Sequence, residues 1–76
     1  MVTAYILVKS NTGEADRLRA EIDEIDGVID TNIVAGDVDF IAKVDVDSPA
    51  AVKTIVADGI QTISGVETTQ TYIALA

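Results

Sequence analysis

Residues 28–46 read VIDTNIVAGDVDFIAKVDV, and this stretch decides the fold. Two β-rich runs of similar length, Val28 to Ala35 and Phe40 to Val46, are separated only by Gly36-Asp37-Val38-Asp39. A turn of Gly and Asp between two such runs signals a hairpin, because these residues tolerate the backbone angles of a tight reversal. In the second run Phe40, Ala42, Val44 and Val46 alternate with Ile41, Lys43, Asp45 and Asp47. That alternation gives the strand one apolar face and one wetter face.

Outward from the hairpin, the chain nearly repeats itself at a spacing of 38 residues. The offset lays Ser10 on Ser48, Ile22 on Ile60, Ile25 on Ile63, Gly27 on Gly65, Val28 on Val66 and Thr31 on Thr69. A unit of that length holds a strand, a helix and a second strand, so the period constrains the architecture. In the first unit Val2 to Val8 is apolar and free of breakers, as a buried central strand requires. Asn11 or Thr12 is placed to cap a helix whose buried stripe is Ala15, Leu18, Ile22 and Ile25. Glu14 and Asp16 sit at its positive end, and Arg17–Glu21 and Arg19–Asp23 have the spacing of ion pairs. Gly27 ends this helix. In the second unit Ser48 is an N-cap followed by Pro49, whose missing N–H costs nothing in the first turn. Val52, Ile55 and Val56 form its stripe, Asp58-Gly59 stops it, and Ser64-Gly65 opens the last strand, Val66 to Leu75.

The order is β-α-β-β-α-β. Two right-handed crossovers turn it into an α+β, ferredoxin-like sandwich, a four-stranded antiparallel sheet with two helices on one face. The opposite sheet face, with Tyr5, Leu7 and Ile41, is then left bare, and a second copy of the chain is the expected cover.

The 76 residues, 1–76, read as one domain. A domain of this size buries only roughly 60–65% of its unfolded surface, and with no cysteine to staple it, oligomerisation is the available source of stability. Although 49% of the chain is apolar, no run approaches the ~20 residues of a membrane span. The start lacks a basic, cleavable leader, so a cytoplasmic location is expected. Thirteen acids against five bases give a net charge of −8, which repels nucleic acid and anionic membranes. Lys9, Arg17, Arg19, Lys43 and Lys53 form no cluster, so direct DNA binding is not expected. Such acidity suits a cytoplasm of very high salt, where self-repulsion is screened, and points to a halophilic source.

Without histidine or cysteine, ordinary zinc sites, imidazole bases and thiol nucleophiles are excluded. There is no phosphate-binding glycine loop and no cofactor motif. Catalysis would rest on carboxylates, Tyr5, Tyr72 or a lysine, and no enzyme is read here. Asp37 and Asp39, or Asp45 and Asp47, could hold a hard cation, but neither pair has calcium-loop spacing, and paired acids are ordinary in so acidic a chain. Glu21, Asp23, Glu24 and Asp26 read as a solvated helix face. The Gly36–Asp39 turn is different, since it offers backbone N–H groups and two carboxylates together. A free amino acid needs acceptors for its ammonium and donors for its carboxylate, and the Thr68, Thr69 and Thr71 hydroxyls extend that set. The same turn also reads as a plain hairpin reversal with Asx geometry, which composition alone favours.

Gly27-Val28-Ile29, Val34-Ala35-Gly36-Asp37-Val38-Asp39-Phe40 and the close Ile63-Ser64-Gly65-Val66-Glu67-Thr68-Thr69-Gln70-Thr71, continuing to Ala74-Leu75, resemble the Lrp/AsnC effector-binding (RAM) domain over nearly the whole chain. The resemblance implies a homodimer formed through the sheet, assembly to an octamer or similar, and a small effector, typically an amino acid, bound between dimers near the Gly-x-x-Asp turn. Matched residue by residue, Gly36 and Asp39 take the turn positions, with Asp37 and Val38 between them, and Gly65, Thr69 and Thr71 take the closing motif. Val38 stands where the family usually has an aromatic residue. No helix-turn-helix precedes the domain, so the likeness is to the stand-alone form, which senses metabolites or co-assembles with full-length Lrp/AsnC regulators. The expected function is an oligomeric amino-acid-binding module that modulates transcription through such partners. The alternative is a structural module forming homo- or hetero-oligomers without a small ligand. A small ferredoxin-like enzyme, such as a cofactor-free monooxygenase, is disfavoured by the absence of histidine and by only three aromatics, Tyr5, Phe40 and Tyr72.

Overall fold

Alternating apolar residues on the central strands and apolar stripes on the helices meet in one layer. The computed structural model describes residues 1–75. Its strands are β1 (Val2–Ser10), β2 (Val28–Ile33), β3 (Phe40–Val46) and β4 (Val66–Ile73), and its α-helices are α1 (Ala15–Asp23) and α2 (Pro49–Thr54). The strands are antiparallel in the order β2-β3-β1-β4, with both helices on one face, which is the ferredoxin-like arrangement. Ala4, Ile6 and Val8 of β1 and Phe40, Ala42 and Val44 of β3 are fully buried against Leu18 and Ile22 of α1 and Ile60. Val52, Ile55 and Val56 complete this core. No helix among the described residues is long and apolar enough to cross a membrane.

The opposite face of the sheet is polar at its borders and apolar at its centre. Leu7 lies across from Ile41, and Tyr5 lies between Lys43 and Tyr72. Tyr5 is 38% exposed and Tyr72 56%.

The 38-residue echo has a physical basis where each helix hands over to its strand. Ile25 N–H donates to the Ile22 carbonyl and Val28 N–H to that of Ile25, and Ile63 with Ile60 and Val66 with Ile63 repeat the pair. Gly27 and Gly65 take φ of +97° and +103°, which side-chain-bearing residues rarely adopt. Space is short as well. A Cβ on Gly27 would lie 2.6 Å from Ile55 Cδ1 and 2.9 Å from Val46 Cγ1, and one on Gly65 would lie 2.7 Å from Thr12 Cγ2.

Local details depart from expectation in four places. Neither Asn11 nor Thr12 caps α1. Glu14 occupies the N-cap position without a side-chain cap, and the Thr12 hydroxyl is turned to the Glu14 carboxylate at 3.3 Å. Arg17 does pair with Glu21, but Arg19 Nε donates to the Thr31 carbonyl at 3.2 Å instead of meeting Asp23. Strand β2 ends at Ile33 and β4 at Ile73, two residues short of Ala35 and Leu75. The second helix begins as expected, with Ser48 Oγ accepting the Ala51 N–H at 3.2 Å and Pro49 next to it. Beyond Thr54 it widens into a π-helical turn, Ile55–Gly59, and then tightens into a 3₁₀ turn, Ile60–Thr62. Thr54 donates back to the Ala50 carbonyl and Thr62 to those of Asp58 and Gly59. Such back-bonding competes with the regular ladder and bends a helix at these points.

Candidate functional site

The Gly36–Asp39 turn is anchored to the far end of the central strand. Val34 N–H donates to the Asp39 carbonyl at 2.8 Å, closing the hairpin, and Asp39 N–H donates to the Val8 carbonyl at 2.9 Å. The Asp39 carboxylate reaches further. Its Oδ2 accepts the Ser10 N–H at 2.8 Å and the Ser10 hydroxyl at 3.3 Å. One residue on, Asn11 N–H donates to the Gly65 carbonyl at 2.9 Å. The turn and the closing glycine therefore converge on Ser10-Asn11, at one end of the sheet.

An exposed ion network holds the same end. Arg17 Nη2 donates to the Ser64 carbonyl at 3.1 Å, beside Gly65, while Nε contacts Glu14 Oε2 at 3.1 Å. Hydrogen bonds from Arg17, then its charge, then the Thr12 hydroxyl hold the Glu14 carboxyl below the usual glutamate range. Hydrogen bonds to Glu14 and Glu21 raise the Arg17 guanidinium in turn.

The remaining expected residues lie elsewhere. Gly36 and Asp37 are exposed at the turn and Val38 is half-buried. Thr69 lies across from Val8, and its hydroxyl accepts from Gln61 Nε2 at 2.8 Å. Thr71 lies across from Ile6, further along β4, and lines a groove beside α2. One chain thus brings Gly36–Asp39 and Gly65 together, but Thr71 is not part of that cluster. The sequence reading gave Ser10 only a place in the echo and Asn11 only that of a helix-cap candidate, and it passed over Gln61. The pairing of Ser10 with Ser48 in the echo was the available sign, because Ser48 also binds a backbone group near a chain reversal. Among the described residues no three acidic side chains are grouped to hold a metal ion.

Among the described residues the arrangement offers free backbone N–H groups, one unpaired turn carboxylate at Asp37 and one already bonded at Asp39. The model of the Lrp/AsnC ligand binding domain matches residues 3–76. The chain belongs to the Lrp/AsnC ligand-binding family. Its general role is accordingly effector binding and oligomerisation in transcriptional regulation, not catalysis. Among solved structures this Lrp/AsnC domain is similar to TTHA0845 from Thermus thermophilus, with 29% identity over 100% of this chain and 95% of that one, at a TM-score of 0.94. It also superposes on AsnC from Escherichia coli with 24% identity and a TM-score of 0.91. The regulator NMB0573 of Neisseria meningitidis, in a complex with L-Met, gives 19% identity and a TM-score of 0.86. The last two likenesses cover 99% of this chain but only 51% and 50% of theirs, and they show the shared fold. No curated protein sequence matches the chain.

Proposed function

We propose that residues 1–76 form one amino-acid-sensing domain that modulates transcription through full-length Lrp/AsnC-type partners in the cytoplasm, without touching DNA itself. The observation that carries this reading is the convergence of Asp39 and Gly65 on Ser10-Asn11, which gathers donors and carboxylates at one end of the sheet. The ligand-binding set is Gly36, Asp37, Val38, Asp39, Gly65, Thr69 and Thr71. Because Thr71 stands apart from the turn within one chain, a second subunit completes the site. That the Neisseria protein was crystallised with L-Met supports an amino acid as the ligand class.

The dimer forms through the outer sheet face around Tyr5, Leu7 and Ile41, and dimers assemble further, to an octamer or similar. Charge placement supports this interface. Lys9 and Lys43 on that face are matched by Asp30 and Asp45, so it is near neutral within a chain of net charge −8. Burial of that apolar centre is worth ~25 cal/mol per Å². The acidity supports a halophilic setting. A melting temperature that does not rise as KCl goes from about 0.1 M to about 1 M, where the Debye length shrinks to ~3 Å, overturns that part.

Calorimetric titration with the twenty amino acids at multimolar salt tests the sensing reading, and no heat for any of them refutes it. The competing reading, a ligand-free assembly module, is favoured by one observation. The Asp39 carboxylate and the Thr69 hydroxyl are both already engaged within the chain. Co-assembly with a full-length homologue that survives Asp39→Ala, with no amino-acid response in either form, selects it.

A further inference from the structure

A second binding surface lies away from the turn. Beside α2 and the π-helical turn, β4 leaves an open trough of about 390 Å³. Val52, Val56 and Ala57 form its helical wall, and Thr71 and Ile73 form its strand wall. Ile73 is 43% exposed on the helix side of the sheet, an unusual position for a large aliphatic residue facing the core layer. The gap has a structural cause. The π-helical turn widens the helix where Val56 and Ala57 sit, and β4 is an edge strand with no outer neighbour among the described residues to close over it. Single π turns interrupting α-helices recur at functional sites.

Two side chains give the trough a polarity. Lys53 lines it and makes no ion pair among the described residues, whose only bridges are those of Arg17. Gln61 closes one end. One of its amide hydrogens goes to Thr69, leaving the other free, and the Thr71 hydroxyl adds a further donor. Among the described residues no Asp or Glu lines the trough, although the chain carries 13 of them. A carboxylate therefore finds a cation and neutral donors there, whereas an ammonium finds no counter-charge. The geometry points to a site for a short aliphatic monocarboxylate, one lacking an α-ammonium, with its branched tail against Val52, Val56 and Ile73 and its carboxylate at Lys53. This chemistry is the opposite of the turn, where Asp37 and Asp39 suit a zwitterion. The site takes the deaminated counterpart of an aliphatic amino acid.

The test is a titration of the intact ¹⁵N-labelled chain with 4-methylpentanoate, followed by amide shifts. Saturable shifts at Val52, Ala57 and Ile73, none of them in the set assigned to the turn, are expected, with a dissociation constant on the order of 1 mM. Lys53 is exposed and outside the core, so Lys53→Met retains the fold and weakens binding at least about tenfold, the loss of one charge-assisted contact. Lys53→Arg retains binding. Leucine and the uncharged 4-methylpentanamide shift these amides at least about tenfold more weakly, for want of a counter-charge or a charge. Equal affinity for leucine, an unchanged constant in Lys53→Met, or no saturable shift in the trough overturns the assignment. Shifts at residues 36–39 alone report on the turn instead, so the two sites succeed or fail separately.

Discussion

Substituting Gly27 by alanine tests whether the helix-to-strand handover is set by backbone shape or by packing. At φ +97° an L-residue pays ~1–3 kcal/mol for a sparsely populated conformation. The new Cβ also meets Ile55 Cδ1 at 2.6 Å and Val46 Cγ1 at 2.9 Å. The Ile55 contact is the far end of a flexible chain and can swing away. The Val46 contact is to a β-branched side chain with one stiff torsion, so part of the overlap remains. Overpacking of this kind costs ~1–3 kcal/mol. Together the two costs give ~2–6 kcal/mol, against a total stability of ~4–11 kcal/mol for 76 residues. At ~4–8 °C per kcal/mol the melting temperature falls by at least ~8 °C. Thermal unfolding followed by far-ultraviolet circular dichroism, at one fixed protomer concentration, reads this directly. Gly65→Ala should cost less, because its tightest neighbour is Thr12 in the loop before α1, which can move. Gly13→Ala is the control, since nothing lies within 4 Å of its would-be Cβ and its φ is ordinary. A Gly27→Ala chain melting within about 2–3 °C of the parent, roughly half a kcal/mol, refutes the reasoning. So does a Gly13→Ala chain as damaged as Gly27→Ala.

Three further outcomes follow from single contacts. Ser48→Ala removes the acceptor for the Ala51 N–H and should cost ~1 kcal/mol in urea unfolding, whereas Thr12→Ala, which caps nothing, should cost less than half of that. Thr31 is 2% exposed with its hydroxyl unpartnered, so Thr31→Val should leave stability unchanged or raise it by ~1 kcal/mol; a loss of that size would show a hidden partner. Arg17 holds the Glu14 carboxyl below its unfolded value, so this contribution is complete above the ordinary glutamate range and is lost as pH falls through the lower folded value. Glu14→Gln should therefore flatten the acid limb of stability measured at low salt, by a small amount because both groups are exposed. A limb that steepens contradicts the assignment.

Much of this fold was legible because its signals are local and repeated. The hairpin at Gly36–Asp39, the Ser48-Pro49 start and the matched Ile22-Ile25-Gly27-Val28 and Ile60-Ile63-Gly65-Val66 handovers each rest on a few neighbouring residues. What escaped was settled by competition or by distance along the chain. Asn11 and Thr12 offered an oxygen near the start of α1, but Glu14 occupies the cap position with its carboxylate turned to Arg17 and not to a backbone N–H. The π-helical turn lies between two threonines whose hydroxyls bond back to the helix carbonyls, a feature that an apolar stripe does not record. The partner of Asp39 is 29 residues away, and only the finished sheet brings Ser10 beside it. The same holds for the trough, whose walls come from residues 49–61 and 71–73.

The strand order β2-β3-β1-β4 sets an order of assembly as well as a shape. Strand β1 has no sheet neighbour until Phe40–Val46 exists, and its other side waits for Val66–Ile73. Residues 28–46 can close on themselves early, since a short loop costs little entropy. Ala4, Ile6 and Val8, fully enclosed in the native protein, thus keep their apolar surface bare for a long interval as the chain leaves the ribosome. The pairing of β1 with β4 spans most of the polypeptide, so it carries the largest loop-closure cost in the sheet. For a domain this small, the interval before that step is when a nascent chain is most open to the wrong partner.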